Sequence, residues 1–146
     1  MSRKKLLIVI PCYNEEEALP STLKRMETLM NKMLGEKLID KNSRVMFVDD
    51  GSADNTWQIL KKGVGKTPFF EALRLSRNFG HQSAILAGMF DNEADIYVTI
   101  DADLQDDPDC IVEMLQKIKA GADIVYGVRR ERSSDTWFKR VSAQAF

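Results

Sequence analysis

Asp101 and Asp103 stand two residues apart, directly after the β-branched apolar run at residues 95–100. Side chains two apart in extended backbone face the same way, so both carboxylates can converge on one point. Converging carboxylates repel each other, and a hard divalent cation relieves the repulsion. Oxygen-only ligands suit Mg²⁺ or Mn²⁺, and Mg²⁺ commonly lies between one or two carboxylates and substrate phosphates. The pair predicts a metal site for a phosphorylated ligand; a solvated strand end is the alternative.

Two further acidic turns follow apolar runs. Residues 13–15 (Tyr-Asn-Glu) come after the run at 6–10, and residues 49–52 (Asp-Asp-Gly-Ser) come after the run at 44–48. Ligands of open α/β sheets bind outside the carboxyl ends of the strands. Three acidic turns at that edge repel one another unless cations or hydrogen-bonding ligands occupy it. The alternatives are a solvated loop for the first turn and a capped turn for the second.

One arginine and one histidine are further candidates. Arg129 follows the run at residues 124–128, at the same predicted edge. A guanidinium there either forms bidentate contacts with phosphate or is surface charge, and spacing leaves both open. His81, the only histidine, lies near a predicted helix start, where a structural or exposed role is favoured over catalysis.

The elements that position these residues alternate along the chain. Five strands are predicted, at residues 6–10, 44–48, 69–75, 95–100 and 124–128. Four helices are predicted. The first runs from near Pro20 to Gly35 and places a stripe of methionines in the core, and the second begins after a cap at Ser52 or Asp54. The third spans residues 81–90, and the fourth begins at Pro108, after the cap Asp107, and ends before Gly121. This alternation predicts an α/β fold with a mostly parallel sheet flanked by helices.

Composition excludes several classes of protein. The 146 residues suffice for one domain, and a net charge of −1 gives no reason to expect nucleic acid as a partner. Cys12 and Cys110 are too few for a disulfide framework or zinc site, which favours a reducing, cytoplasmic setting. No stretch is long enough to cross a bilayer.

Two other functions share parts of this pattern. A dinucleotide-dependent dehydrogenase also places an acid after its second strand, but residues 11–17 lack the glycines that let backbone approach a pyrophosphate. A Mg²⁺-binding signalling module of the receiver type clusters aspartates at strand ends. Its phosphoryl acceptor would end the third strand, where this chain has Ser76-Arg77-Asn78.

Four ordered motifs resemble family 2 glycosyltransferases, and most closely the polyprenyl-phosphate branch, which includes dolichol-phosphate mannosyltransferases and bactoprenol glucosyltransferases. They are residues 8–15 (IVIPCYNE), 48–54 (VDDGSAD), 75–80 (LSRNFG) and 101–106 (DADLQD). The resemblance implies a GT-A (Rossmann-like) nucleotide-binding fold. It also implies an inverting hexosyltransferase that moves a sugar from a nucleotide donor, a UDP-sugar in preference to GDP-mannose, to a polyprenyl phosphate.

The resemblance also assigns roles to residues. It implies donor binding by positions in the first, second and fourth motifs: Pro11, Tyr13, Glu15, Val48, Asp49, Asp50, Gly51, Asp101 and Ala102. It implies that Asp101, Asp103 and Gln105 hold Mg²⁺ or Mn²⁺, with Asp103 the more direct ligand, and that Arg129 engages phosphate. Asp107 departs from relatives that often carry proline or histidine there, which casts little doubt on the metal site.

The final stretch concerns the acceptor. The resemblance implies a catalytic domain that is incomplete at the C-terminus, with residues 131–146 beginning an acceptor- and membrane-facing segment that carries Trp137, Phe138 and Phe146. The full-length enzyme would then act in cell envelope biosynthesis at the cytoplasmic face of the inner membrane, while this fragment would be soluble. A donor-binding fragment or subunit without turnover is the remaining alternative.

Overall fold

A computed structural model of the chain describes residues 2–90 and 92–128. Its strands are β1 (Leu6–Cys12), β2 (Arg44–Asp49), β3 (Phe70–Arg74) and β4 (Ile96–Thr99). Its helices are α1 (Leu19–Gly35), α2 (Thr56–Val64), α3 (His81–Phe90) and α4 (Cys110–Lys119). Strands and helices alternate in the order β1-α1-β2-α2-β3-α3-β4-α4. The predicted α/β class is confirmed, and these four strands lie within two residues of their predicted bounds.

The four strands form one parallel sheet in the order β3-β2-β1-β4. From β1 the chain builds the sheet in one direction to β2 and β3, then returns to add β4 on the other side of β1. Open parallel sheets bind ligands at such a switch point, outside the carboxyl ends of the strands. The topology therefore places the expected site beyond the ends of β1 and β4.

α3 packs closely on one face of the sheet. It lies against β1 and β2, and a Cβ added at Gly88 would come within 2.7 Å of Val9 Cγ1 and 2.9 Å of Val48 Cγ2. No larger residue fits there without displacing the helix. β1 is an inner strand of the sheet and all seven of its residues are buried, as in continuous apolar strands of parallel sheets covered on both faces.

The helix starts depend on local hydrogen bonds. The predicted cap of α2 at Ser52 or Asp54 is wrong, because α2 starts at Thr56 and its N-cap is Asn55, whose side chain makes no capping bond. Asp54 still accepts a bond from Thr56 N at 2.9 Å. α4 begins at Cys110, two residues after the predicted first position, because Asp107 and Pro108 belong to the turn before it. The methionines of α1 are fully buried, which confirms their predicted place in the core: Met26, Met30 and Met33.

The chain divides into two compact units, residues 1–113 and 114–146, and the whole sheet belongs to the first. In the second, the predicted strand at 124–128 is wrong: these residues pair with none of the described strands. Three of the five residues at 124–128 have large, exposed side chains: Ile124 at 70%, Tyr126 at 80% and Val128 at 82%. A β-forming sequence becomes a strand only where a neighbouring backbone satisfies its N–H and C=O groups.

No helix among the described residues is long and apolar enough to span a bilayer.

Candidate functional site

A cleft of about 380 Å³ opens at the carboxyl ends of β1, β2 and β4. Its walls come from the end of β1 with the loop after it, from the end of β2, from the loop before α3, and from the turn after β4. The cleft therefore lies at the switch point of the sheet. Residues predicted to bind donor or metal line it: Pro11, Tyr13, Glu15, Asp50, Asp101, Ala102 and Asp103.

Other predicted site residues lie elsewhere. Val48 is fully buried in the core, and Asp49, Gly51 and Gln105 are not among the residues that line the cleft. Arg129 lies outside the described residues, as does the predicted membrane-facing segment 131–146. The binding roles of these residues remain predictions, whereas the structure shows what Asp49 and Gly51 do for the turn after β2.

The turn after β2 is held from inside. Asp49 Oδ1 accepts a hydrogen bond from Ser52 N at 3.1 Å, and its Oδ2 lies 3.2 Å from Arg74 Nε on β3. Gly51 has φ +70°, and a Cβ there would come within 2.4 Å of the Arg77 carbonyl carbon. Only glycine combines that φ with so close a neighbour. The turn therefore packs directly on the loop after β3.

Asp50 anchors that loop. Its carboxylate is 3% exposed and accepts hydrogen bonds from Phe79 N at 2.7 Å and Gly80 N at 3.0 Å. Bonds from backbone N–H groups to a carboxylate are stronger than neutral ones. Through them the loop is drawn from the edge strand β3 towards the cleft, where Asn78 and His81 join the lining.

The loop after β1 is latched to the turn after β2. Asn14, with φ +51°, donates its N–H to Ser52 Oγ at 2.9 Å, and Glu15 donates its N–H to Thr56 Oγ1 at 2.9 Å. These bonds satisfy backbone donors that no strand or helix pairs. They also present Tyr13 at the cleft with half of its surface exposed.

The acidic turn after β4 is tied to α1. The Ala102 carbonyl accepts a hydrogen bond from Thr22 Oγ1 at 2.5 Å, and Ala102 is almost fully buried. On either side of it, Asp101 and Asp103 line the cleft. Asp103 Oδ1 also accepts a bond from Gln105 N at 3.2 Å, which closes the turn. Both predicted metal-binding aspartates are thus brought to one wall.

The cleft is electrostatically self-repelling. Partial burial raises the pKa of Glu15 above its ordinary value, and the negative charges of Asp103, Asp54 and Asp101 raise it further. Carboxylates that disfavour one another's ionisation at this edge were expected from the sequence. A cation in the cleft would relieve the repulsion.

The donor set fits a metal that is shared with a ligand. Among the described residues, no group of three or more His, Cys, Asp or Glu side chains is placed to hold a metal ion by itself. Mg²⁺ usually takes one or two carboxylates, substrate phosphates and waters rather than an all-protein cage. Asp101 and Asp103 fit that requirement, as the two carboxylates that the chain would supply to such an ion.

Sequence reasoning did not assign His81 and Asn78 to the site. His81 Nε2 lies 3.6 Å from Asp101 Oδ1 across the cleft, and its side chain is 56% exposed. The available signal was the polar loop at residues 76–80, which follows a strand at the same edge of the sheet. What the sequence does not show is the pair of bonds from Phe79 N and Gly80 N to Asp50, which draws this loop inwards.

Cys12 also lines the cleft but is chemically quiet. Burial raises the pKa of its thiol far above the ordinary value, and the charges of Glu15 and Asp49 add to the effect. A thiolate is the nucleophilic form of cysteine. This environment therefore disfavours a nucleophilic role for Cys12.

Solved structures share this architecture. The chain matches the mannosyltransferase PcManGT from Pyrobaculum calidifontis, solved with GDP-Man and Mn²⁺, with a TM-score of 0.67 and 19% identity over 91% of this chain and 38% of that one. It matches glucosyl-3-phosphoglycerate synthase from Mycobacterium tuberculosis, solved with Mn²⁺ and UDP, with a TM-score of 0.52 and 21% identity over 68% of this chain and 33% of that one. The fold is therefore the GT-A fold.

Sequence comparison identifies the family. The uncharacterized glycosyltransferase YkoT of Bacillus subtilis is 43% identical over 99% of this chain, which spans 44% of the length of YkoT. The sequence model of glycosyl transferase family 2 matches residues 7–145. The dehydrogenase and receiver alternatives are thereby excluded. The chain belongs to glycosyl transferase family 2.

Proposed function

We propose that this chain binds the nucleotide donor and the metal for an inverting sugar transfer from a nucleoside diphosphate sugar to a polyprenyl phosphate. The observation that carries the proposal is the convergence of Glu15, Asp50, Asp101 and Asp103 on one cleft at the switch point of the sheet. A UDP-sugar is the favoured donor and GDP-mannose the second.

The nucleoside would bind on the side of the cleft formed after β1 and β2. Tyr13 offers a half-exposed aromatic ring there, and Pro11 and Glu15 lie beside it. Both oxygens of Asp50 accept bonds from backbone N–H groups. Its part in donor binding is therefore to hold the loop before α3, together with any further bond that its remaining lone pairs accept.

The diphosphate would bind on the side formed by the turn after β4. Asp101 and Asp103 would hold Mg²⁺ or Mn²⁺, with Gln105 close by. The bound ion would neutralise the charge that develops on the leaving diphosphate. Asp103 is fixed by its bond from Gln105 N, and Asp101 faces His81. The chain's own contribution is thus to orient two carboxylates towards the diphosphate.

The acceptor needs no general base. A polyprenyl phosphate is already an anion near neutral pH, so one of its oxygens attacks the anomeric carbon while the bond to the diphosphate breaks and the nucleotide leaves with the electron pair. Direct displacement inverts the configuration. Five cations near the end of the chain would face this anionic acceptor at the cytoplasmic side of the inner membrane, and all lie outside the described residues: Arg129, Arg130, Arg132, Lys139 and Arg140.

A thermal-shift panel tests the proposal. The chain is melted with UDP, GDP, UDP-sugars or GDP-mannose, each with Mn²⁺, Mg²⁺ or a chelator. A ligand of the folded state stabilises it by about 2.7 kcal/mol at a concentration of 100 times its Kd. We expect the largest rise in Tm with UDP and Mn²⁺. No nucleotide-dependent rise under any metal condition would overturn the proposal.

The alternative is a donor-binding protein that does not transfer the sugar. Incubating the chain with a radiolabelled nucleotide sugar, Mn²⁺ and a short-chain polyprenyl phosphate separates the two. Label in the organic phase supports transfer. Nucleotide binding without organic-phase label assigns the chain to donor binding alone.

A further inference from the structure

Two side chains of α1 contact the loop that carries the predicted metal ligands. Thr22 reaches the beginning of this loop at Ala102, and Arg25 reaches its end at Asp107 and Asp109. Residues three apart on a helix lie on one face. The same face of α1 therefore touches the loop at both of its ends.

The Thr22 contact is buried. Its hydroxyl lies 3.1 Å from the Ala18 carbonyl of its own helix and 2.5 Å from the Ala102 carbonyl, and Thr22 is 1% exposed. A hydroxyl has one proton to donate. The shorter contact takes it, so the bond leads out of the helix and into the loop. The accepting carbonyl stands between the two aspartates, Asp101 and Asp103.

Arg25 forms ion pairs with two aspartates. One guanidinium nitrogen lies 2.9 Å from Asp107 Oδ1 and 2.8 Å from Asp109 Oδ2. A bond from Asp109 N lowers the pKa of Asp107, and the bond from Arg25 lowers it further. Exposed ion pairs add little to stability. Their geometric effect is to fix where the loop after β4 meets α4.

We propose that Thr22 and Arg25 are positioning residues that hold the turn at Asp101–Asp103 in the geometry that binds the metal. This inference rests on the proposed function. Groups that orient the residues coordinating a metal contribute strongly to its binding, and their loss typically lowers metal affinity by about 10- to 100-fold. The loop needs such support because Leu104, directly after Asp103, has φ +48°, which is costly for a leucine.

The role of Thr22 is tested by titrating the full chain with Mn²⁺ in the presence of UDP. The electron paramagnetic resonance signal of free Mn²⁺ measures how much of the ion is bound. Thr22→Val keeps the side-chain shape and removes the hydroxyl. We expect Mn²⁺ to bind about 10-fold more weakly or worse, and Thr22→Ser to restore it. Thr28→Val is the matched control, because Thr28 is exposed and its hydroxyl donates to the Lys24 carbonyl of its own helix.

UDP binding without metal separates positioning from general damage. Thr22→Val should leave that affinity unchanged, since the proposed nucleoside contacts lie on the other side of the cleft. A fold defect would weaken metal-free and metal-dependent binding together. That result, or equal Mn²⁺ affinity in Thr22→Val and Thr28→Val, would overturn the role of Thr22.

Arg25→Gln supplies a second test that does not depend on a buried group. Removing a positive charge beside Asp107 and Asp109 should, by electrostatics alone, strengthen the binding of a cation. Positioning predicts the opposite sign, a weaker Mn²⁺ affinity. Lys24→Gln removes the same charge from the neighbouring residue and is the control. Unchanged or tighter Mn²⁺ binding in Arg25→Gln would remove Arg25 from the proposal.

The experiments distinguish failure of the proposed function from failure of the positioning role. If the unaltered chain shows no Mn²⁺-dependent binding of UDP or GDP, the proposed function is wrong and this inference falls with it. If the unaltered chain binds and both the Thr22 and Arg25 variants bind equally well, only the positioning role is wrong.

Discussion

The two walls of the cleft are built in different ways. On one side, residues 11–16, 49–56 and 76–81 form an interlocked wall, in which side chains of one segment bond to the backbone of another, as Ser52 does with Asn14 and Asp50 does with Gly80. On the other side, residues 101–109 form an acidic wall that depends on contacts from α1. The first wall is preorganised by its own hydrogen bonds, whereas the second places the charges of Asp101 and Asp103 opposite Glu15 of the first. Nucleoside binding should therefore need metal less than diphosphate binding does.

The largest expected effect is on the acidic wall. Asp103→Asn keeps the shape of the side chain and its place beside Gln105, but removes the charge. We expect sugar transfer, or metal-dependent binding where transfer is absent, to fall by about 100- to 1,000-fold, the usual scale for losing one preorganised electrostatic group. Calorimetric titration with UDP and Mn²⁺ measures it.

Glu93→Gln is the control for that change in net charge, because Glu93 is exposed and precedes β4 at the opposite edge of the sheet. Equal Mn²⁺ dependence in both variants would show that the general field, and not the acidic wall, attracts the metal.

Next in size is a change in the interlocked wall. Asp50→Asn replaces one acceptor oxygen with an N–H₂ group that faces a backbone N–H. We expect a loss of about 3 kcal/mol in the free energy of unfolding, since hydrogen bonds to charged groups contribute about 1.5–3 kcal/mol each. Urea denaturation measures it. A variant as stable as the original chain would show that the loop before α3 does not depend on Asp50.

A smaller effect concerns the support of that wall by α3. Gly88→Ala would place a Cβ 2.7 Å from Val9 Cγ1. Overpacking costs about 1–3 kcal/mol, against a gain of about 1 kcal/mol in helix propensity, so a net loss of about 1 kcal/mol is expected. Gly35→Ala at the end of α1 has no atom within 4 Å of the added Cβ and should be neutral or stabilising. Thermal unfolding compares them, and the same sign in both would contradict the close packing.

The smallest expected effect concerns the repulsion between Glu15 on the interlocked wall and the aspartates of the acidic wall. The pKa of Glu15 is raised in the folded chain, so the folded state binds more protons than the unfolded state and stability falls as pH rises through that window. Glu15→Gln removes this penalty. Its Tm should exceed that of the original chain at pH 7 and converge with it at low pH, where Glu15 is protonated in both states. The gain is small because Glu15 is only partly buried.

Glu17→Gln, an exposed neighbour with the same change in charge, is the control for Glu15. A stabilisation by Glu15→Gln that persists at low pH would show that its cause is packing and not repulsion from Asp101 and Asp103.

Patterns in the sequence predicted most of the framework. Apolar runs became the four paired strands, and the carboxyl ends of parallel strands share an edge, so Tyr13, Asp50 and Asp101 were placed together from their positions alone. The strand predicted at 124–128 failed because propensity describes a residue's fit to a sheet and not the presence of a neighbouring strand.

The supporting contacts were beyond the reach of sequence patterns. Thr22 reads as an ordinary polar residue of α1, and its partner Ala102 is 80 residues away in the chain. The bonds that Asp50 accepts from Phe79 N and Gly80 N were not predicted, and its part in holding a nucleoside stays a prediction. Such roles depend on which loops are in contact in the folded chain. A single side chain has no periodicity in the sequence from which that contact could be predicted.

The order of the strands has a consequence for how the molecule opens. β1 is bordered by β2 and by β4, while β3 and β4 are the outer strands of the described sheet. Local opening starts where backbone bonds and packed contacts are fewest. The amides of Leu7, Val9 and their neighbours in β1 should therefore exchange with deuterium more slowly than those of β4. We therefore expect the acidic turn after β4 to open locally before β1 does.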